Sequence, residues 1–250
     1  MELTLKKSTI GRAGTLDLLE KLADAAGEAS LTLYLTPHLP PAELKYLLQE
    51  VPSPPTVSEK LAEIATGSPT GAVVFWGNQT KYIIIPPFPV AEKSLTLSLD
   101  VAPLRSQLTR DYHIGVVLIR LGSYAIGVCR GDKLLSSKVG TGLVHGRHRQ
   151  GGSSAHRFER HRDKQIEQFL IRVCGHAREQ LEPYARAMDY IVYGGAWRTI
   201  QLLQKYCPLL GKLDKPILPP LLDIPEPRQA VLENAVGRVW SSTVYEWLED

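Results

Sequence analysis

Three cysteines are spread over 250 residues, and no long apolar run is present. Cys129, Cys174 and Cys207 form no CxxC pair, which argues against a multi-disulfide framework and predicts reduced core residues. The longest apolar runs, such as YIIIPPFPV, are too short and too rich in proline to cross a bilayer. The opening MELTLKKST lacks the regions of an export signal. Together these absences predict a cytoplasmic protein without a membrane span.

Common catalytic motifs are missing as well. The sequence contains no GxSxG elbow, no GxxxxGK[ST] phosphate loop and no GxGxxG dinucleotide fingerprint. Ser153 as an acyl-transfer nucleophile would need a histidine and an acid oriented behind it, and no sequence pattern places them there. No cofactor is therefore expected, and any chemistry must come from a different kind of site.

A change of texture near residue 110 favours two domains over one, although the chain length permits either. Residues 1–110 alternate helical and strand patterns, with a hairpin turn at Gly77-Asn78, and predict a small α/β N-terminal domain. Residues 111–250 are predicted to form a second domain. This domain begins with HIGVVLIRL, SYAIGVCR and KLLSSKVGT, which short polar turns separate in the manner of a three-stranded meander.

A long helical pattern follows, with apolar residues spaced three or four apart from Phe158 to Leu181. Ser153 or Ser154 is its predicted N-cap. The stretch MDYIVYGG then predicts a buried strand, AWRTIQLLQKYC a helix, and PEPRQAVLENAVGRVWSSTVYEWLE a terminal helix. This order predicts an α/β (α+β) fold: a mixed sheet that begins as an antiparallel meander and has helices packed on it.

Four aromatic residues of this half are predicted to be structural. Trp197 is expected to anchor the core rather than to stack on a base. Trp240 and Trp247 lie seven residues apart, which predicts one helical stripe in the core or at an interface. Phe158 is expected to pack the long helix onto the sheet.

The formal net charge of +3 is concentrated in one segment. From Gly146 to Gln165, six Arg or Lys residues stand against two acids, which gives +4 and leaves −1 for the rest of the chain. A local basic excess is expected where a polyanion docks. An ordinary solvated loop is the alternative interpretation, because runs of charge often cover exposed surface.

This segment is predicted to connect the last meander strand to the long helix. Gly151 and Gly152 would let another molecule approach the backbone N–H groups, and a helix N-terminus adds further donors for phosphate or an oxyanion. His156 and His161 diverge by roughly 140° on a helix and no cysteine joins them, so no metal site is predicted. The candidate RNA-binding residues are Arg147, His148, Arg149, His156, Arg157, Arg160, Arg162 and Lys164.

The stretch GRHRQGGSSAHRFERHRDKQ resembles the Gly-Gly-Gln loop of archaeal and eukaryotic class-1 peptide chain release factors. Gly151 and Gly152 match the two glycines, Ser154-Ala155 the family's Ser-Ala, and Arg157-Phe158 its Arg-Phe. The preceding meander and the strand near Tyr190 are also similar to that family's loop-bearing domain. The resemblance covers roughly His113 to the C-terminus.

In that family the loop enters the ribosomal peptidyl transferase centre, where its Gln positions water against the ester between peptide and tRNA. The resemblance implies a catalytic loop made of Gln150, Gly151, Gly152, Ser153 and Ser154. Ser153 stands at the family's Gln position, and Gln150 is the candidate to replace that carboxamide. A Gln-Gly-Gly-Ser order is similar to the release-factor-like proteins of ribosome quality control (VLRF type), in which a second Gln follows the Ser, whereas Ser154 follows here.

The resemblance implies a ribosome-associated peptidyl-tRNA hydrolase that acts on stalled large subunits, by ester hydrolysis or by cleavage near the tRNA CCA end. The expected partners are peptidyl-tRNA and large-subunit ribosomal RNA. The first hundred residues contain no Asn-Ile-Lys-Ser motif, and the chain ends where the release factors' third domain would begin, so stop-codon recognition is not expected. A tRNA- or ribosome-binding module that has lost its catalytic Gln is the alternative.

Overall fold

The structure, a computed structural model, describes residues 3–24, 30–78, 80–144 and 155–249, without the side chains of Leu3, Ala155, His156 and Glu249. By their contacts the residues form two compact units. The first unit consists of Met1–Arg110 together with Gly237–Asp250, and the second of Asp111–Val236. Among the described residues, no helix is both long enough and apolar enough to span a membrane.

Helices and strands alternate through the first 110 residues, as the sequence predicts. The elements are β1 (Leu3–Ile10), α1 (Arg12–Asp24), β2 (Ser30–Leu35), α2 (Pro41–Gln49), α3 (Pro55–Thr66), β3 (Ala72–Gly77), β4 (Lys81–Ile85), β5 (Ser94–Thr96) and α4 (Ala102–Thr109). Both α2 and α3 begin with proline, whose fixed φ and missing N–H suit the first turn of a helix.

The remaining described elements begin with three strands and then alternate helices and strands. They are β6 (His113–Arg120), β7 (Ser123–Arg130), β8 (Lys133–Thr141), α5 (Ala155–Leu181), a 3₁₀ turn (Glu182–Tyr184), β9 (Tyr190–Gly195), α6 (Trp197–Tyr206), α7 (Pro208–Lys212), α8 (Gln229–Val239) and β10 (Ser242–Glu249).

The first unit is built on a six-stranded antiparallel sheet of order β1-β10-β4-β3-β2-β5. Strand β3 illustrates why this sheet is buried on both faces. Its residues alternate between two apolar clusters, with Val74 and Trp76 in one and Val73 and Phe75 in the other. Helices α2 and α3 contribute to the first cluster, and α1 and α4 to the second.

The second unit contains the predicted mixed sheet, of order β8-β7-β6-β9. Strands β6, β7 and β8 form the antiparallel meander, and β9 returns parallel to β6. Helices α5 and α6 cover one face, where Phe169, Leu170 and Val173 pack with Ile200 and Leu203. The predicted fold class is thus confirmed: an antiparallel start, a parallel finish and helices packed on the sheet.

The C-terminal segment differs from the prediction of one terminal helix. Helix α8 ends at Val239, and β10 then pairs with β1 and β4 inside the first unit's sheet. Residues from Gly237 therefore lie with the first unit, although the sequence assigned them to the second. The reason is the residue pattern of β10, where Val244 faces one cluster while Tyr245 and Trp247 face the other, a period of two. Trp240 and Trp247 are buried as predicted, but in different elements.

Candidate functional site

The basic segment joins two described elements of the second unit. Strand β8 ends at Thr141, and helix α5 begins at Ala155. The predicted loop lies outside the described residues. It comprises Arg147, His148, Arg149, Gln150, Gly151, Gly152, Ser153 and Ser154, the last two being the predicted N-cap residues. The described part of the candidate site therefore consists of the residues on either side of this loop.

Helix α5 runs the length of the sheet and extends past its end. Its Leu181 lies near Gly115 in β6, because a Cβ built on that glycine would be 3.3 Å from the leucine Cδ2. Its Phe169 covers Gly142, just after β8, where a built Cβ would be 2.6 Å from the ring Cδ2. Since these two contacts mark opposite ends of the sheet, the part of α5 before Ile166 projects beyond the end at which β8 stops.

We call residues 155–165 of α5 the stalk. At about 1.5 Å per residue the stalk is roughly 16 Å long. The described side chains from Arg157 to His161, together with Asp163 and Lys164, are exposed, whereas Arg162 and Gln165 are half-buried. The next residue, Ile166, already packs against the apolar core. The N-terminal end of the stalk therefore lies well away from the sheet.

The charge of the stalk is opposite to what helix stability favours. Its first turn contains no acidic residue, and Arg157 lies there. Cations near a helix N-terminus interact unfavourably with the macrodipole and with the unpaired N–H groups. An anionic partner would remove this penalty, because phosphates bind both to helix N-termini and to arginine. The charge pattern therefore favours a polyanion as the partner of the stalk.

The foot of the stalk is held by aromatic packing at the sheet end. The ring of Tyr124 lies 6.2 Å from that of Phe169 and is stacked on His176 at 5.6 Å. Burial raises the pKa of the Tyr124 hydroxyl. The Gly142 amide donates to the carbonyl oxygen of Gly122 at 2.9 Å, which closes the neighbouring turn. These contacts fix the direction in which α5 leaves the sheet.

The described candidate RNA-binding residues lie along the stalk. Arg157, Arg160 and Lys164 are exposed, and Arg162 is half-buried. The backbone of His156 is helical. Of the two histidines weighed as metal ligands, His156 and His161, only His161 has a described side chain.

Two aromatic predictions are wrong. Phe158 is 57% exposed because α5 reaches the sheet only near Ile166 and Phe169, more than two helical turns later. Trp197 is also 57% exposed, because the buried face of α6 is formed by Thr199, Ile200 and Leu203 instead.

The prediction of three reduced cysteines is also wrong for two of them. Cys174 of α5 and Cys207, just after α6, form a disulfide with their Cα atoms 5.1 Å apart. The two helices pack side by side in the same core, and this packing brings together cysteines 33 residues apart in sequence. Cys129 is a free, buried thiol, and burial raises its pKa to about 12.

Comparison with known proteins shows that the chain is similar to peptide chain release factors. A family model described as the Actinobacteria/chloroflexi VLRF1 release factor matches residues 112–245. Peptide chain release factor subunit 1 of Archaeoglobus fulgidus is 33% identical over 115 residues, which cover 45% of this chain and 28% of the relative. The protein of the same name from Aeropyrum pernix is 23% identical over 251 residues, covering 89% of this chain and 66% of the relative.

The chain spans only part of these relatives. With the Thermococcus sibiricus protein included, the matched share of the relative ranges from 28% to 66%. A solved structure of an archaeal translation termination factor aligns with 92% of this chain and 70% of its own, at 18% identity and a TM-score of 0.39. The match to the family model includes the basic segment, the stalk and all four strands of the second sheet.

Proposed function

The chain belongs to the Actinobacteria/chloroflexi VLRF1 release factor family, and from this premise we propose that it is a ribosome-associated peptidyl-tRNA hydrolase. It frees nascent peptide from tRNA on stalled large ribosomal subunits, in the cytoplasm and without reading a stop codon. Its partners are peptidyl-tRNA and large-subunit ribosomal RNA. The family membership itself confirms the resemblance inferred from the basic segment.

One observation carries the proposal: the glycine-containing segment leads directly into the exposed, basic end of the stalk. A narrow, cationic projection is suited to reach an ester inside a large RNA assembly, because its charges are attracted to the phosphates. The stalk has this shape and charge, because it is roughly 16 Å long, most of its described side chains are exposed, and it carries four Arg or Lys residues against two acids. The aromatic packing at its foot supports the projection against the sheet.

The proposed chemistry assigns roles to the loop residues. Gln150 positions a water molecule, because a carboxamide both donates and accepts hydrogen bonds and does not titrate. The backbone N–H groups of Gly151, Gly152 and Ser153 stabilise the oxyanion that forms. In ester hydrolysis the water oxygen bonds to the peptide carbonyl carbon, the bond from that carbon to the ribose oxygen breaks, and the ribose oxygen takes one of the water's protons, which leaves a peptide carboxyl group and a free ribose hydroxyl.

The same fold is compatible with two alternative activities. In the first, a phosphodiester bond near the CCA end is cut, and the peptide leaves with nucleotides attached. In the second, the chain only binds tRNA or the ribosome. The specific observation that favours the binding module is Ser153, which stands where the class-1 release factors have Gln. Retention of Gly151 and Gly152 favours catalysis, since glycines at this place serve close approach of the backbone.

The test is incubation of the protein with large subunits that carry peptidyl-tRNA, followed by analysis of both products. Released peptide with a free carboxyl group indicates ester hydrolysis. Peptide that still carries CCA indicates cleavage of the tRNA. Binding without any release would overturn the enzyme proposal and support the binding module.

Two loop variants test which side chain, that of Gln150 or that of Ser153, is needed for release. Gln150→Ala is expected to lower the release rate about 100-fold or more, a typical effect of losing one transition-state hydrogen bond. Ser153→Ala is expected to retain release because its backbone N–H is unchanged. Gln168→Ala is the matched control, since it removes an exposed glutamine of α5 beyond the stalk. Loss of release in Ser153→Ala with full activity in Gln150→Ala would refute the assignment.

A further inference from the structure

Trp197 is the one exposed tryptophan of four. It is 57% exposed, whereas Trp76, Trp240 and Trp247 are 3%, 2% and 6% exposed. Tryptophan is enriched at interfaces, because its large ring gains from burial while its N–H can still be hydrogen-bonded. The kind of partner that covers Trp197 follows from the position of this residue in the fold and from the charged residues around it.

The turn before Trp197 places it at the same sheet end as the stalk. Gly195 pairs with Ile119 at the carboxyl ends of the parallel strands β9 and β6. Its φ of +116° turns the chain there, and its amide donates to the Leu222 carbonyl oxygen at 2.9 Å. Helix α6 therefore starts at the sheet end where β8 finishes, since Thr141 also pairs across that end, with Ser123.

Helices α5 and α6 then run in the same direction from this end. The disulfide between Cys174 and Cys207 sets their relative height. Counting ten residues back along each chain, roughly 15 Å of helix, leads to Lys164 on α5 and Trp197 on α6. Trp197 thus lies at the level of the foot of the stalk.

The charges around Trp197 favour an anion. Residues 197–212 contain Arg198, Lys205 and Lys212 and no acidic residue, and all three cations are exposed. The acids of the neighbouring elements are Asp163 and Glu167 on α5, both exposed, and Asp223 near the end of β9. An exposed aromatic ring beside several cations is the combination with which proteins bind single-stranded nucleic acid.

We propose that Trp197 stacks on an unpaired base of the tRNA 3′ strand, while Arg198 and Lys205 bind its phosphates. The proposal rests on the proposed function, because the substrate named there supplies the RNA. The base at Trp197 is a different one from the nucleotide at the loop.

The first experiment measures binding of an RNA oligonucleotide that ends in CCA, free and as a duplex with its complement. Because the other three tryptophans are buried, fluorescence quenching by the bound strand reports on Trp197. The unpaired strand is expected to quench the emission, and the duplex to do so far less. Binding of the unpaired strand without quenching would overturn the proposal.

The second experiment compares variants by affinity for the unpaired strand. Trp197→Ala is expected to weaken binding about 5- to 150-fold, the range found when one stacking residue is removed. Trp197→Phe keeps a ring and is expected to stay within about 5-fold of the wild type. Leu202→Ala, an exposed apolar position on the same helix, is the control and is expected to bind normally. All three are expected to melt like the wild type, since these side chains are exposed.

The outcomes distinguish this inference from the proposed function. If Trp197→Ala binds the strand as tightly as the wild type, the inference fails even where the wild type releases peptide. If it weakens binding to large subunits but not to the strand, the partner is ribosomal RNA or protein and the tRNA assignment is overturned. Quenching that depends on Trp197 supports the inference even where peptide release is absent.

Discussion

Gly195 forms the turn between β9 and α6 at the sheet end near Trp197. Its φ of +116° lies in the left-handed region, and a Cβ there would collide with the carbonyl oxygen of Ile119. We expect Gly195→Ala to lower the free energy of unfolding by about 3 kcal/mol or more, because both the conformation and the contact are unfavourable. Urea unfolding of the full chain measures the change.

Gly175→Ala is the matched control for this substitution. Gly175 lies within α5, and nothing is within 4 Å of a Cβ built there. Since alanine is the better helix former, the control is expected to be more stable than the wild type by about 1 kcal/mol. Equal stability of the two variants would show that the turn at Gly195 is not strained by a side chain.

The three cysteines are expected to differ in reactivity. Burial raises the pKa of the Cys129 thiol to about 12, so at pH 8 only about one molecule in 10,000 carries the thiolate that iodoacetamide attacks. The folded, unreduced protein is therefore expected to take up no label, the unfolded, unreduced protein one, and the reduced, unfolded protein three. Mass spectrometry counts the labels, and three labels without reductant would contradict the Cys174–Cys207 disulfide.

At the scale of single residues, sequence patterns found the core better than the surface. Phe169, Leu170 and Val173 follow the helical spacing that predicted them to be buried. Phe158 fits the same spacing but is exposed, because a periodic pattern does not tell where a helix leaves the sheet. The Cys174–Cys207 pair was missed for a related reason: it depends on the packing of two helices that are distant in sequence.

Among the elements, α5 combines two opposing requirements. Its first turn carries Arg157, which disfavours the helix, and its last turn carries Arg178, which favours it. We expect Arg157→Glu to leave stability unchanged or raise it by about 0.3–1 kcal/mol, because the new charge complements the macrodipole. The same substitution is expected to weaken RNA binding, because one phosphate contact is lost and a repulsive charge is added. Thermal unfolding and RNA titration test the two halves of this prediction.

Arg178→Glu is the mirror-image control on the same helix. It is expected to lower stability by about 0.3–1 kcal/mol and to leave RNA affinity unchanged, since Arg178 lies far from the stalk. Wild-type affinity should also fall steeply with salt, and the slope of log K against log salt should be shallower for Arg157→Glu. If Arg157→Glu keeps both the affinity and the slope of the wild type, the stalk does not bind RNA through this residue.

The meander and α5 were predicted because their patterns are local. Strands β6, β7 and β8 are β-branched runs between glycine turns, and α5 has an apolar stripe. Strand β10 was read as helix because it follows a real helix, α8, with only two residues between them. Its partners β1 and β4 are more than 150 residues away in sequence, and no local pattern encodes such a pairing.

For the whole molecule, this pairing determines which pieces of the chain fold. Strand β10 lies between β1 and β4 in the first unit's sheet, and its Trp247 packs on Trp76 at 5.6 Å. Residues 1–110 alone would leave β1 without a partner strand and expose apolar clusters. Residues 111–236 contain the complete second sheet, its helices and the disulfide.

We therefore expect the fragment 111–236 to fold on its own and the fragment 1–110 to fold only when a peptide of residues 237–250 is added. Thermal unfolding followed by circular dichroism should be cooperative for the fragment 111–236, and its amide proton chemical shifts should be well dispersed. The fragment 1–110 should gain the same properties on titration with the peptide, because β10 supplies the strand between β1 and β4. A peptide with Val244→Asp and Trp247→Asp is the control, since it places a charge in each of the two clusters. Folding of 1–110 without any peptide would mean that β10 is dispensable to the first unit.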